Sequence, residues 1–451
     1  MFRVYLDWNA FSRLDDNDDV YNKTSKYLSN DAIYIIPYSH AHLLDLHRSY
    51  LKVDMDGIIG KLNILEKYSN GLLISDNASD ELEFLNIHVK NAMEMLIETS
   101  NINSSITTND IFDRLNTIEP LLNIKIENPL LTTSRKVQNG RSKKGTNSDI
   151  IISKFLGDSE TISIKDILEN FVKIASNLHH DNTYNEIRSG YQKDLKVNTG
   201  RMRDKRFDPI ESLDQIAKKM KFENFTEFHE KIIAKTDKTS LFKKVIELCR
   251  SLDFNGYFSD TIKTGHHLDN IETDYQHIGY ASTCDIFVSA DNNTREKAKL
   301  VYRLLNFDIK VFTPREFTDF KENNLAKLEN GTEFLDYIFW VAETPPTAST
   351  NSFNYYYIPS YVLEYFNLLF QPLNKKGHLI LQKYGSLNRV CMFEEEVSSI
   401  RTKLLEFYGP PSFEKNKINS YLYTIGWITK NDIIINIKYV DKDLILEIIR
   451  N

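Results

Sequence analysis

The hydrophobic and polar positions divide the 451-residue chain into three stretches of different period. Phe2-Arg3-Val4-Tyr5-Leu6 is a short strand-like run that stops at Asp7-Trp8-Asn9. A second run, Ile33 to Ile36, ends at Pro37. It leads into helical spacing from Ser39 to about Tyr50, continued over 51–70 by the stripe Ile58, Ile59, Leu62, Ile64 and Leu65. Leu72-Leu73-Ile74 predicts a third short strand. This β-α-β-α order is how a parallel sheet opens.

From about 78 to 270 glycine and proline are scarce. Segments such as LEFLNIHVKNAMEMLIETS and IKDILENFVKIASNL carry apolar residues at a spacing near 3.6, which predicts a mainly helical insertion. The α/β pattern returns at 271: a helix through Ile278, Tyr280 and Ala281, then the buried strand Ile286-Phe287-Val288, which ends at Ser289-Ala290-Asp291. A helix from Arg295 to about Leu305 and a strand Ile309 to Phe312, stopped by Pro314, complete that unit. Residues 342–353, AETPPTASTNSF, have linker composition. Beyond them a helix from Glu394 to Phe407 and the strands Tyr421–Thr429, Ile433–Tyr439 and Leu444–Ile449 predict a small α+β unit with an antiparallel meander. The expected domains are therefore a discontinuous α/β core at 1–77 and 271–341, a helical insertion at 78–270, and a C-terminal module at 354–451.

Composition narrows the class. Hydrophobic content of 41% and charged content of 26% are those of an ordinary globular protein, and no stretch is apolar enough for a membrane span. The chain opens on a strand without a signal-like segment, and three scattered cysteines (Cys249, Cys284, Cys391) fit a reducing compartment, so a cytoplasmic protein without a membrane partner is expected. No CxxC or Cys/His cluster offers structural zinc a site, and no phosphate-binding loop, dinucleotide turn or serine elbow is present. The net charge is −7, so contact with nucleic acid requires local basic patches. Two loops offer them: Arg135, Lys136, Arg141, Lys143 and Lys144 in one, and Arg201, Arg203, Lys205 and Arg206 in the other, alongside the reading that both are simply solvated.

The chemistry-bearing residues are carboxylates at element ends: Asp7 after the first strand, Asp45 on the helix after the second, Asp274 near the start of the helix at 271, and Asp291 past the strand that follows. Each alone is as easily a cap or turn residue. Collected in one cleft they require a neutralising cation, and oxygen donors favour Mg²⁺ or Mn²⁺. Asp285 precedes its strand and is expected to point away.

The segments YLDWNAF, IPYSHAHLLDL and TDYQHIGYASTCDIFVSAD, in that order, resemble the acidic motifs of PIN-like domain nucleases. The resemblance implies a PIN-like parallel sheet flanked by helices. It implies catalytic and metal-binding roles for Asp7, Asp45, Asp274 and Asp291, with Asn9, Ser289 and His277 supporting them. Asp45 stands where that family usually has Glu, and the 229 positions from Asp45 to Asp274 exceed what a compact PIN domain uses. The function implied is a divalent-metal-dependent nuclease, RNA favoured over DNA, of toxin or antiviral-defence type, with a regulatory protein partner or a homo-oligomer. The alternative is a catalytically inactive PIN-like scaffold. A phosphatase for small esters is a weaker rival.

Overall fold

A computed structural model describes residues 2–30, 34–77, 81–105, 125–127, 161–163, 183–219, 221–233, 240–259, 268–324, 326, 328–363, 365–383, 393–417, 422–440 and 443–450. At its centre lies a four-stranded parallel sheet in the order β2 (Tyr34–Ile35), β1 (Phe2–Leu6), β8 (Ile286–Val288), β9 (Lys310–Phe312). Every residue of β1 and β8 is buried, as expected for parallel strands covered on both faces. Phe2, Val4 and Leu6 face one core with Ile286 and Val288, while Tyr5 and Phe287 face another. Arg3, Tyr5 and Asp7 therefore share one side of β1 by strand alternation.

Asp7 caps α1 (Trp8–Phe11), which is followed by α2 (Asp19–Asn30). After β3 (Tyr38–Ser39), α3 runs from His40 to Ser69. The helix predicted from Ser39 to about Tyr50 continues over 51–70 as expected, but with a kink at Asp54, whose φ is 62°. It ends at Asn70 in the left-handed region, and Gly71 (φ 74°) turns the chain into β4 (Leu72–Asp76). β4 pairs in parallel with β3 and antiparallel with β5 (Leu82–Asn86), and α4 (Val89–Ser105) follows. The segment from Leu82 to Asn86, expected as helix, is thus a strand, because pairing with β4 overrides its helical spacing. These elements extend the first unit past the expected limit at 77.

The rest of the insertion contributes a two-stranded pair, β6 (Lys125–Glu127) with β7 (Thr161–Ser163), then α5 (Thr183–Asp194), α6 (Thr199–Arg203), α7 (Pro209–Lys219), α8 (Phe225–Phe228) and α9 (Leu241–Phe254). Helix α10 spans Leu268–Ala281 and α11 Asn292–Leu304. A buried charge cluster fastens the insertion to the core. Asp253 of α9 accepts from Arg188 of α5 (2.7 Å), Tyr184 (2.8 Å) and Lys297 of α11 (3.2 Å).

After α12 (Pro314–Asn324), α13 (Gly331–Glu343) packs with the C-terminal unit: Phe334, Leu335, Ile338 and Val341 share its core with Val397, Ile400 and Trp427. Tyr408 donates to the Gly331 carbonyl at 2.6 Å, and a β-carbon at Gly331 would lie 2.4 Å from that ring, so only glycine permits the approach. The unit therefore begins near 331 rather than at 354. Its sheet is also larger than a meander: eight antiparallel strands in the order β10 (Ala348–Ser349), β11 (Phe353–Val362), β12 (Phe366–Pro372), β13 (His378–Gln382), β17 (Asp443–Arg450), β16 (Ile433–Val440), β15 (Leu422–Ile428), β14 (Phe413–Lys417). α14 (Phe393–Tyr408) covers it together with α13. Among the described residues no helix is long and apolar enough to cross a membrane.

Arg188 and Lys297 share the buried Asp253 carboxylate, and removing it takes an anionic partner from each of these buried cations. Asp253→Ala is expected to lose about 3–5 kcal/mol in urea unfolding followed by circular dichroism. A loss below about 1 kcal/mol would show that the cluster does not anchor the insertion.

Candidate active site

The parallel register pairs Tyr5 with Phe287 and Leu6 with Val288, so the next positions, Asp7 and Ser289, emerge side by side at the carboxyl ends of adjacent strands. That is where open α/β sheets place ligands and chemistry. Asp7 is 3% exposed. Its Oδ1 accepts the Ala10 N–H at 2.8 Å, and its Oδ2 accepts the Ser289 hydroxyl at 2.5 Å. Ser289 Oγ also accepts the Asp291 N–H at 3.0 Å, and Asp291 caps α11 through the Thr294 N–H at 2.7 Å. Asp7, Ser289 and Asp291 thus form one connected group. Burial raises the Asp7 carboxyl to about 6. The Ser289 hydrogen bond and His277 oppose that rise, and Asp291 adds to it.

A second group lies beside it. His277 Nε2 donates to Asp45 Oδ2 at 3.0 Å, and Arg48 Nη1 donates to Asp45 Oδ1 at 2.8 Å. Arg48 also bonds Thr273 on α10. When Nε2 donates to Asp45, His277 Nδ1 can accept from the Tyr5 hydroxyl at 2.8 Å. Tyr5 in turn accepts from Ser39 Oγ at 2.6 Å. His42 accepts the Ser39 N–H at Nδ1 (3.0 Å) and donates from Nε2 to the Leu6 carbonyl (2.8 Å). Burial and the neighbouring His277 hold His42 well below the usual imidazole range, which keeps it in this neutral form. His42 thereby fixes the end of β1 one residue before Asp7.

Asp274 does not open its helix: α10 starts at Leu268, so Asp274 lies half-buried in its middle, one turn before His277. Asn9 is exposed on α1 beside Asp7. Asp285, before β8, lies at the opposite end of the strand from Ser289 and accepts from the Arg3 backbone and Lys383. The four acids do not gather into one cage. Among the described residues no three His, Cys, Asp or Glu side chains stand close enough to hold a metal ion. The Asp7–Asp291 pair nevertheless has the donor set Mg²⁺ uses, one or two carboxylates with water and substrate oxygens completing the shell, and its excess negative charge suits a cation. Asp45, with each oxygen already accepting from a cationic or imidazole donor, fits an orienting role better than ligation.

Of the basic residues, Arg135, Lys136, Arg141, Lys143 and Lys144 lie outside the described residues. Arg206 pairs with Asp204 at 2.6 Å, Arg201 lies 3.8 Å from Glu211, and Arg203 donates to Ser259 at 3.1 Å, while Lys205 is exposed. Tyr5, Ser39, His42, Arg48 and Arg295 are additions that motif reading misses. Arg295 Nη1 donates to the Ser289 carbonyl at 2.8 Å. Only Tyr5 had a signal, its alternation with Asp7. No protein-family model, curated protein or solved structure matches this chain, so the site is read from its own residues.

Because the folded state raises the Asp7 carboxyl from 3.8 to about 6, it binds that proton more tightly than the unfolded chain does. Stability therefore falls as pH rises from about 4 to 6 and stays lower above, by at most about 3 kcal/mol (2.2 × 1.36). Asparagine can keep the Ala10 bond at Oδ1 and donate from Nδ2 to Ser289 Oγ, reversing that bond, without the charge. Asp7→Asn should gain about 1–3 kcal/mol at pH 7.5, a gain that vanishes near pH 4, when urea melts are compared at the two pH values. A variant less stable at pH 7.5 would contradict this.

Proposed function

We propose that the chain is a divalent-metal-dependent nuclease of PIN-like type that hydrolyses phosphodiester bonds, RNA being favoured as substrate. The observation that carries this reading is the pair Asp7 and Asp291, brought together through Ser289 at the carboxyl ends of β1 and β8, with Asp7 held near 6 by burial beside a second acid. Asp7 and Asp291 are the residues that would hold Mg²⁺ or Mn²⁺. Such an ion supplies a coordinated water of lowered pKa and positive charge at the leaving oxygen.

The remaining roles fall to the chain's own groups. Ser289 fixes the orientation of Asp7 and of the Asp291 backbone together. His277, held by Tyr5, and Arg48 orient Asp45 beside the pair, and Asp274 lies on the same helix as His277. Arg48 and Arg295 place positive charge at a site whose protein carries −7 overall, which favours a polyanionic substrate. The toxin or antiviral-defence role and a regulatory partner or self-association follow by analogy with PIN-like nucleases alone, whereas a cytoplasmic setting rests on the scattered cysteines.

One observation favours the inactive scaffold: Asp45 is fully engaged by Arg48 and His277, and the acids do not form a three-group metal cluster among the described residues. The same experiment separates the two. Purified protein incubated with labelled RNA and single-stranded DNA, with and without Mn²⁺, should cleave only with metal. Asp7→Asn and Asp291→Asn should each lower the rate by about a hundredfold or more, and Asp45→Asn by less. Cleavage that survives in both strand-end variants would refute the site, and no cleavage by the unaltered protein in any metal would support the scaffold.

A further inference from the structure

The acidic pair occupies one end of the β1–β8 pair, and the C-terminal unit holds the other. Arg3 Nη2 donates to Glu396 of α14 at 3.0 Å and Nη1 to the Thr283 carbonyl at 3.3 Å. Asp285 Oδ2 accepts both the Arg3 N–H (2.8 Å) and Lys383 Nζ (2.5 Å), which follows β13. The Lys383 ammonium lies 5.3 Å from the Phe2 ring centre and 4.8 Å from that of Tyr365. Side-chain exposure is 1% for Arg3, 7% for Glu396, 4% for Lys383 and 16% for Asp285, so two ion pairs are almost wholly removed from water. Around them Phe2 packs edge-on against Tyr361 with ring centres 4.6 Å apart, and the Tyr361 carbonyl accepts the Ala326 N–H at 3.2 Å.

We propose that the C-terminal unit is a conformational clamp on the acidic site: the pairs Arg3–Glu396 and Asp285–Lys383 fix how β1 and β8 lie against each other, and so fix Asp7 against Ser289. Three observations carry this. The β1–β8 ladder joins only three residue pairs, and parallel pairing is the weaker kind, so the ladder by itself tolerates displacement. Arg3 and Asp285 are register neighbours two positions beyond Tyr5 and Phe287, on the strand side that ends in Asp7 and Ser289. Finally, a buried ion pair adds little net stability but is costly to break one-sidedly, the signature of a contact that specifies geometry. Arg3 Nε has no acceptor among the described residues, which leaves the clamp short of full satisfaction and able to release. Displacement of α14 or of Lys383 then reaches the acids through the two strands β1 and β8.

This inference rests on the fold and not on nuclease activity, and its test reads neither metal nor substrate. Amide hydrogen exchange is measured at single-residue resolution in the full chain and in Glu396→Gln and Lys383→Met variants. The Asp7 amide, bonded to the Val288 carbonyl, and the Ser289 amide, bonded to Phe312, report the two ladders at the site. Both should exchange roughly tenfold or more faster in each variant, while amides of β16 keep their protection. Unchanged exchange at Asp7 and Ser289, with faster exchange confined to the Asp285 amide beside the lost charge, would overturn the clamp. If β16 also loses protection, Lys383→Arg, which keeps the charge and alters only its geometry, is read at the same two amides. A few-fold acceleration supports the clamp and wild-type exchange refutes it.

Discussion

The pairing of β1 with β8 is the constraint on which the rest of this molecule depends. These strands are separated by nearly three hundred residues of sequence, yet a three-residue parallel register joins them. That register decides which side chains become neighbours: Arg3 with Asp285, Tyr5 with Phe287, Asp7 with Ser289. A slip of one residue would turn Asp7 into the apolar core that holds Phe2, Val4 and Leu6. The insertion, the long helix α3 and the C-terminal unit all act to hold that pair. Asp253 ties α5 and α9 to α11, the helix that Asp291 caps, and His42 bonds the last carbonyl of β1.

Charge is distributed along this strand pair according to what compensates it. At the C-terminal-unit end, the buried Arg3 and Lys383 pair with the carboxylates of Glu396 and Asp285. In the middle, Tyr5, Ser39, His42 and His277 are linked to one another by hydrogen bonds. At the far end Asp7 lies beside Asp291 and is held by the Ala10 amide and the Ser289 hydroxyl, and the protein tolerates the resulting cost at neutral pH. The burial cost that raises the Asp7 carboxyl therefore lies where a cation could relieve it.

The sequence made the central strands legible because each is a short apolar run closed by an acid, and β1, β4, β8 and β15–β17 form close to where periodicity puts them. It was less informative where pairing competes with spacing. Leu82–Asn86 has helical periodicity but pairs with β4, and residues 353–382 lack the clean alternation that would mark three strands of the large sheet. Asp7, Ser289 and Asp291 were legible as strand-end residues. The engagement of Asp45 by Arg48 was not, because the partner on α10 that completes it, Thr273, lies 225 positions away. Nor did composition reveal that Arg3 is buried, since a lone arginine in a strand gains its ion partner only through tertiary contact with α14.

The most direct test of the central claim is to soak crystals in Mn²⁺ and map the anomalous scattering of the metal. An ion between the carboxylates of Asp7 and Asp291, with water completing its shell, is the result this account predicts. Scattering elsewhere on the protein, or none at saturating Mn²⁺ with both carboxylates ordered as described, would contradict it.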